Sequence, residues 1–425
     1  MYRRKSKQLS LPGPDDTLRQ TLPNGVTLLV RENFASPAVV VSGYVEAGGE
    51  DEGQAHGLAG FAVDVMERGT QSRSFEQLYE EVESIGASFG FSGGNHITSF
   101  GAKGLAEHLP LLLNILNDIL RNPAFLPDQV EKTRAEIFTD LQELENDTYQ
   151  KASQIFHELV YPETHPYHWN PLGYPETIGK ITRDDLAQFH ERYFAPQGAT
   201  LVVVGAVKTQ EAVQAIGDIF GNWEHTRPAR DALTPVPALA ERRERRITLN
   251  DKTQSDLIMG WPGPPREHPD FIPCYVANHI LGVFGMYGRL GQRVRIQNSL
   301  AYYAQSKLDG GKGPGSWHIS AGINPANVDK ALALIQEEVR RFRDQQVSRE
   351  ELEDTQSYLT GVVPLQLETN EGVARALINI ERYRLGMDYL QKYIEIIQTV
   401  NRGQVQTMAQ RWLDIEHFAL AIAGP

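Results

Sequence analysis

The chain has 425 residues, 41% apolar and 22% charged, the proportions of a soluble globular protein too long for one ordinary core. Its net charge of −13 argues against a nucleic-acid partner, whose phosphates need a basic surface, and its single cysteine, Cys274, excludes both a disulfide framework and an all-thiolate zinc site. No stretch approaches the roughly 20 apolar residues that span a bilayer.

In chain order, MYRRKSKQLSLPGPDD (1–16) has basic residues with no apolar run behind them, so it does not read as a secretory signal and a cytoplasmic location is expected. GVTLLVREN (25–33) and PAVVVSGYVEAG (37–48) read as strands. HGLAGFAVDVMERGT (56–70) is a Gly-rich lead-in that breaks into an apolar helix start and closes on Gly69-Thr70. LPLLLNILNDIL (109–120) is the most apolar helix, but Asn114, Asn117 and Asp118 interrupt it, so it reads as a core helix. Glu136, Asp140 and Glu143 share a helix face at four and three spacing, and a solvated acidic face is the first reading. The second is an acidic chamber wall with weak divalent-ion binding near Asp64 and Asp140. His165 and His168 flank Pro166, which argues against one helical face and for a turn. TRPARDALTPVPALAERRERR (226–246) is rich in Pro and charge, as linkers are. RRITLNDK (245–252) and SDLIMGW (255–261) read as further strands, and Cys274, after Pro273 in an apolar run, as a packing residue.

The chain repeats itself. ITRDDLAQFHERYFAPQGATLVVVG (181–205) aligns without gaps to VNRGQVQTMAQRWLDIEHFALAIAG (400–424), an offset of 219 residues, with Arg183 on Arg402, Arg192 on Arg411 and Gly205 on Gly424. DQVEKTR (128–134) matches EELEDTQ (350–356) at a nearby offset of 222. A period this long is not a solenoid unit, whose repeat is roughly 20–50 residues, so it implies two homologous domains. The expected boundaries are 16–225 and 247–425, joined through 226–246. Strand runs at each end with helices between predict an α+β class, each domain a mixed, largely antiparallel sheet packed with helices.

On LPNGVTLLVREN, VEAGGEDE, GLAGFAVDVMERGT, YPETHPYHWNPLGYPETIGKIT and GRLGQRVRIQNSLAYY, in that order and spacing, the chain resembles the pitrilysin and mitochondrial processing peptidase family of zinc endopeptidases. Active members carry H-x-x-E-H on one helix: two histidines four apart bind zinc, the glutamate activates the bound water, and a distant glutamate completes the ligands. The matching positions here are Gly60, Val63 and Asp64, with Asp140, 76 residues after Asp64, at the distant one. Gly60 has no side chain, Val63 cannot move a proton, and two carboxylates fall short of the three protein ligands catalytic zinc takes. His56, four residues before Gly60, falls outside the motif register and is not expected to be a ligand.

Arg295 and Tyr302 match the family's arginine and tyrosine, which the resemblance implies hold the substrate carbonyl and its developing oxyanion; Ser299 replaces the family glycine between them. DGGKGPG (309–315) lacks the order and following helix of a phosphate loop, which leaves a mobile inter-strand loop or a substrate-sensing loop. The resemblance therefore implies a non-catalytic subunit, inactive alone, holding no metal. It would bind unfolded peptides and supply Arg295 and Tyr302 to a homologous zinc-bearing partner in a heterodimer. Without that partner a homodimer is open. The alternative is a non-proteolytic interaction scaffold of the same fold.

Overall fold

The structure, a computed structural model, describes residues 11–425; the basic start of the N-terminal stretch, residues 1–10, lies outside the described residues. Two sheets organise the chain. The first contains β1 (Leu18–Thr21), β2 (Thr27–Glu32), β3 (Ala38–Val45), β4 (Ser88–Gly93), β5 (Thr98–Leu105) and β6 (Thr200–Gly205), in the order β1-β2-β6-β3-β5-β4. The second contains β7 (Arg243–Thr248), β8 (Ser255–Pro262), β9 (Ala301–Leu308), β10 (Ser316–Ile323) and β11 (Ala419–Gly424), in the order β7-β11-β8-β10-β9. Without β1 the two orders are the same: opening strand, closing strand, second, fourth, third. In each sheet the opening and closing strands pair parallel, and the remaining pairs are antiparallel. The two halves are one α+β fold used twice.

The helices that position the site are, in chain order, α1 (Leu58–Met66), α2 (Leu109–Arg121), α3 (Pro127–Asn146), α4 (Thr148–Val160), α5 (Arg183–Tyr193), α6 (Phe271–Asn278), α7 (Val328–Asp344), α8 (Asn370–Arg382) and α9 (Arg402–Trp412). α5 and α9 start alike: Thr182 and Asn401 each accept a bond from the backbone three residues on, closing a reciprocal capping box with Asp185 and Gln404. Leu112, Leu113, Ile115 and Leu116 of α2 lie in the first core with the inward face of the first sheet. α7 and α9 contribute in the same way to the second core. Among the described residues no helix is long and apolar enough to cross a membrane.

The opposite face of each sheet is covered by a helix from the other half. Leu29, Val40, Val202 and Val204 of the first sheet pack against Val373, Ala374, Leu377 and Ile380 of α8. Ile258, Ala419, Ala421 and Ala423 of the second pack against Ala152, Ile155, Phe156 and Val160 of α4. With both faces covered, β6 and β11 are buried at every position, which is why they read as unbroken apolar runs rather than alternations.

The segment joining the halves is tied down. Residues 223–239 form neither helix nor strand, and β7 begins at Arg243, inside the stretch the sequence marks as a linker. Arg227 Nη1 reaches Glu46 Oε2 at 3.0 Å, and Arg230 grips both oxygens of Asp51 as well as pairing with Glu50. These carboxylates lie just beyond β3, so the connection is fastened to the first half by nearly buried charge pairs.

Candidate active site

α1 begins where the backbone turns left-handed at Gly57, φ +93°; a Cβ there would sit 2.8 Å from the Gly173 Cα and from the Leu172 carbonyl oxygen. Glu52 accepts bonds from the Gly57 and Ala59 amides, both at 3.1 Å, placing an anion at the positive end of the helix. His56 precedes the helix and stacks on Trp169, ring centroids 4.0 Å apart. It belongs to the aromatic packing under that turn.

Gly60 and Val63 both lie against the end of β4, whereas Asp64 faces a recess. Gly60 lies beneath the end of β4, so close that a Cβ on Gly93 would come within 3.1 Å of the Gly60 Cα. Val63 is fully buried in the first core. Asp64 lines a recess of about 300 Å³ together with Glu67, Arg68, Glu136 and Asp140. The fold thus brings Asp64 and Asp140 together across α1 and α3, while Glu143 is not part of that lining. Arg68 pairs with Glu136 at 2.5 Å. The recess walls push the Asp64 carboxyl up to about 6, chiefly by desolvation, with Asp140 and Glu136 adding like charge and Arg68 opposing. Asp64 remains open to solvent at the mouth, so water screens part of that effect. Glu67, which accepts a bond from the Phe91 amide at 2.9 Å, is pushed up to about 7, again mainly by burial. Glu67 is a member of the recess that the motif comparison does not flag.

These donors do not fit a zinc ion. Gly60 supplies none, Val63 is core hydrocarbon, and one of the remaining carboxylates, Glu136, is already held by Arg68. Among the described residues no three His, Cys, Asp or Glu side chains are grouped to hold a metal. No general base stands at the Val63 position.

Arg295 and Tyr302 lie in the second half, and the lining of the Asp64 recess contains no second-half residue. Arg295 is exposed on a π-helical turn, Gly291–Ile296, a geometry that often marks functional segments. Tyr302 is 70% exposed on β9, the edge strand of its sheet. Its neighbour Tyr303 points the other way, its hydroxyl donating to Asp256 Oδ1 at 2.5 Å. Between them Ser299 takes φ +53°, the left-handed conformation that glycine adopts without strain.

The glycine-rich stretch is not a free loop. The Arg266 amide donates to the Gly311 carbonyl at 3.0 Å and the Tyr383 hydroxyl to that of Gly310 at 3.3 Å. A Cβ on Gly311 would lie 2.7 Å from the Tyr167 hydroxyl, and one on Gly310 2.5 Å from the Phe271 ring. Tyr167 belongs to a single 3-10 turn, Pro166–His168, as Pro166 demands. His165 is fully buried there, its pKa lowered to about 4 by desolvation, and its Nδ1 accepts from the Tyr167 amide at 3.1 Å. His168 Nδ1 pairs instead with the Tyr161 carbonyl at 2.8 Å. The two histidines hold a turn that receives the glycine loop.

Comparison with known proteins gives a consistent result. Residues 28–167 match the family model described as Insulinase (Peptidase family M16), and residues 180–359 match that described as Peptidase M16 inactive domain. An uncharacterized zinc protease of Bacillus subtilis is 26% identical over 96% of this chain and 98% of its own length. A probable mitochondrial-processing peptidase subunit beta of Arabidopsis thaliana is 24% identical over 96% of this chain and 78% of its own length. The crystal structure of a peptidase M16 inactive domain from Pseudomonas fluorescens shares the fold at a TM-score of 0.89 and 20% identity, covering 96% of this chain and 98% of that one.

Proposed function

The chain belongs to the M16 family of peptidases, and from that premise we propose that it is the non-catalytic, substrate-binding subunit of a two-chain zinc endopeptidase acting on unfolded peptides. One asymmetry carries the reading: at the positions the resemblance assigns to zinc, Gly60 and Val63 offer no ligand or base, whereas at those it assigns to substrate, Arg295 and Tyr302 are exposed and their side chains form no ion pair or hydrogen bond among the described residues. An exposed guanidinium and phenol on a surface helix turn and an edge strand suit a site completed by another chain. Zinc and base then come from a homologous partner, and this chain offers donors to the carbonyl oxygen as negative charge develops on it. A similar chain named as a subunit of a processing peptidase agrees with an assembly of more than one chain.

The test is reconstitution with the zinc-bearing M16 chain of the same cell and cleavage of an unfolded peptide. Arg295→Ala or Tyr302→Phe is expected to lower kcat about a hundredfold, roughly 3 kcal/mol, with the partner's zinc content and the assembly unchanged. Wild-type turnover from both variants in an intact complex would leave this chain as a chamber wall only. One zinc per chain with chelator-sensitive cleavage by this chain alone would overturn the reading entirely.

A further inference from the structure

Apart from the Asp64 recess, a larger one of about 550 Å³ opens beside α8, between α6 and the helix Tyr389–Gln398. It has the size of a small-molecule site. Val363, Leu367, Ile380 and Leu390 give it an apolar wall, and Tyr275 and Tyr393 an aromatic one. Two guanidinium groups line it, Arg266 and Arg375, and no carboxylate does. In a chain of net charge −13 this is a local reversal of sign.

Neither guanidinium forms an ion pair among the described residues. Arg266 lies over the Phe271 ring at 4.6 Å and the Tyr389 ring at 5.7 Å, and donates one bond, 2.8 Å, to the Tyr389 hydroxyl. Stacking fixes the plane of the group and leaves its charge uncompensated. Arg375 is exposed one turn into α8, and Thr369, the N-cap of that helix, also borders the recess, while Glu371 in the first turn is held by Lys103.

We propose that this recess binds a small organic anion: a carboxylate attached to an aromatic or branched apolar group. The guanidinium fork matches the planar carboxylate, and the tyrosine and aliphatic wall takes the apolar part. Two guanidinium groups also match a phosphate in charge, so an aromatic phosphate is the competitor the test must exclude. The C-terminal residue of a peptide and a free small acid share this chemistry. The inference does not rest on the peptidase reading: no residue of the Asp64 recess or of the Arg295–Tyr302 segment takes part, and of the glycine-rich stretch only Gly310 borders the recess.

Calorimetric titration of the full chain with N-acetyl-phenylalanine tests it, using N-acetyl-phenylalanine amide, phenyl phosphate and a tripeptide with a free C-terminal phenylalanine as companions. The acid is expected to bind at least about tenfold tighter than its amide, and Arg375→Gln to remove that difference while the melting temperature stays the same. If the tripeptide binds as tightly as the acid, peptide ends are the source; if only the acid binds, free small acids are, and either result upholds the site. No binding at millimolar acid, equal binding of acid and amide, unchanged binding by Arg375→Gln, or tighter binding of phenyl phosphate overturns the proposal.

Discussion

Rebuilding the family's zinc site would take Gly60→His, Val63→Glu, Asp64→His and Asp140→Glu, and the structure makes these four changes unequal. Asp64 and Asp140 reach a shared recess, whereas Val63 is packed in the first core. A glutamate there must enter hydrocarbon or push α1 outward, at a cost of several kcal/mol. The four-fold variant is expected to melt well below wild type and hydrolyse nothing; the three-fold variant keeping Val63 should fold and, at most, bind zinc. Elemental analysis beside peptide cleavage checks both, and full activity would show that the supporting groups survive. The raised carboxyls give a second expectation. Glu67 titrates near 7 when folded against 4.5 unfolded, so between those values the native state holds more protons. Its stabilising contribution is complete below about 4.5 and is lost as pH rises through about 7. Glu67→Gln, which can still accept the Phe91 amide, should therefore flatten the fall in stability from pH 5 to pH 8, by about 1 kcal/mol after screening. Urea unfolding at both pH values reads it, and a parallel shift of both midpoints would refute it. That Gly60 and Val63 carry no metal-binding group is read directly from the sequence. The recess membership of Glu67 is not, since it depends on where β4 and α3 pack against α1.

At the scale of elements, the closing strands β6 and β11 were readable because burial on both faces leaves continuous apolar runs, whereas β4 and β5, which carry no such run, fell in a stretch that read as helical. The capping boxes that open α5 and α9 pair Thr182 with Asp185 and Asn401 with Gln404. What periodicity could not reveal is which sheet an amphipathic helix covers: α4 and α8 carry ordinary apolar faces, and only the tertiary structure assigns each to the opposite half. The glycine-rich stretch was ambiguous for a related reason. Glycines there are consistent with mobility, yet Gly310 and Gly311 are required by the close approach of Phe271 and Tyr167. Gly311→Ala should accordingly cost about 1–3 kcal/mol, because the Tyr167 hydroxyl, 2.5 Å from His96, has little room to retreat. Thermal melts settle this, and an unchanged melting temperature would return the segment to the status of a loose loop.

For the whole molecule, the exchanged helices predict that the halves do not unfold separately. Removing residues 243–425 would strip α8 from the first sheet and bare Leu29, Val40, Val202 and Val204. Calorimetry of the intact chain should show one transition, and either half expressed alone should be insoluble or unfolded, with co-expression restoring assembly. Two resolved transitions would count against this. The same exchange bears on ancestry. A protein with one copy of the repeat would have one sheet face uncovered, and two such copies trading that helix would cover both. The present chain thus has the build of a two-fold dimer fused end to end. Fusion relieves the copies of having to stay identical, so that the two halves can diverge in their side chains while keeping one strand order.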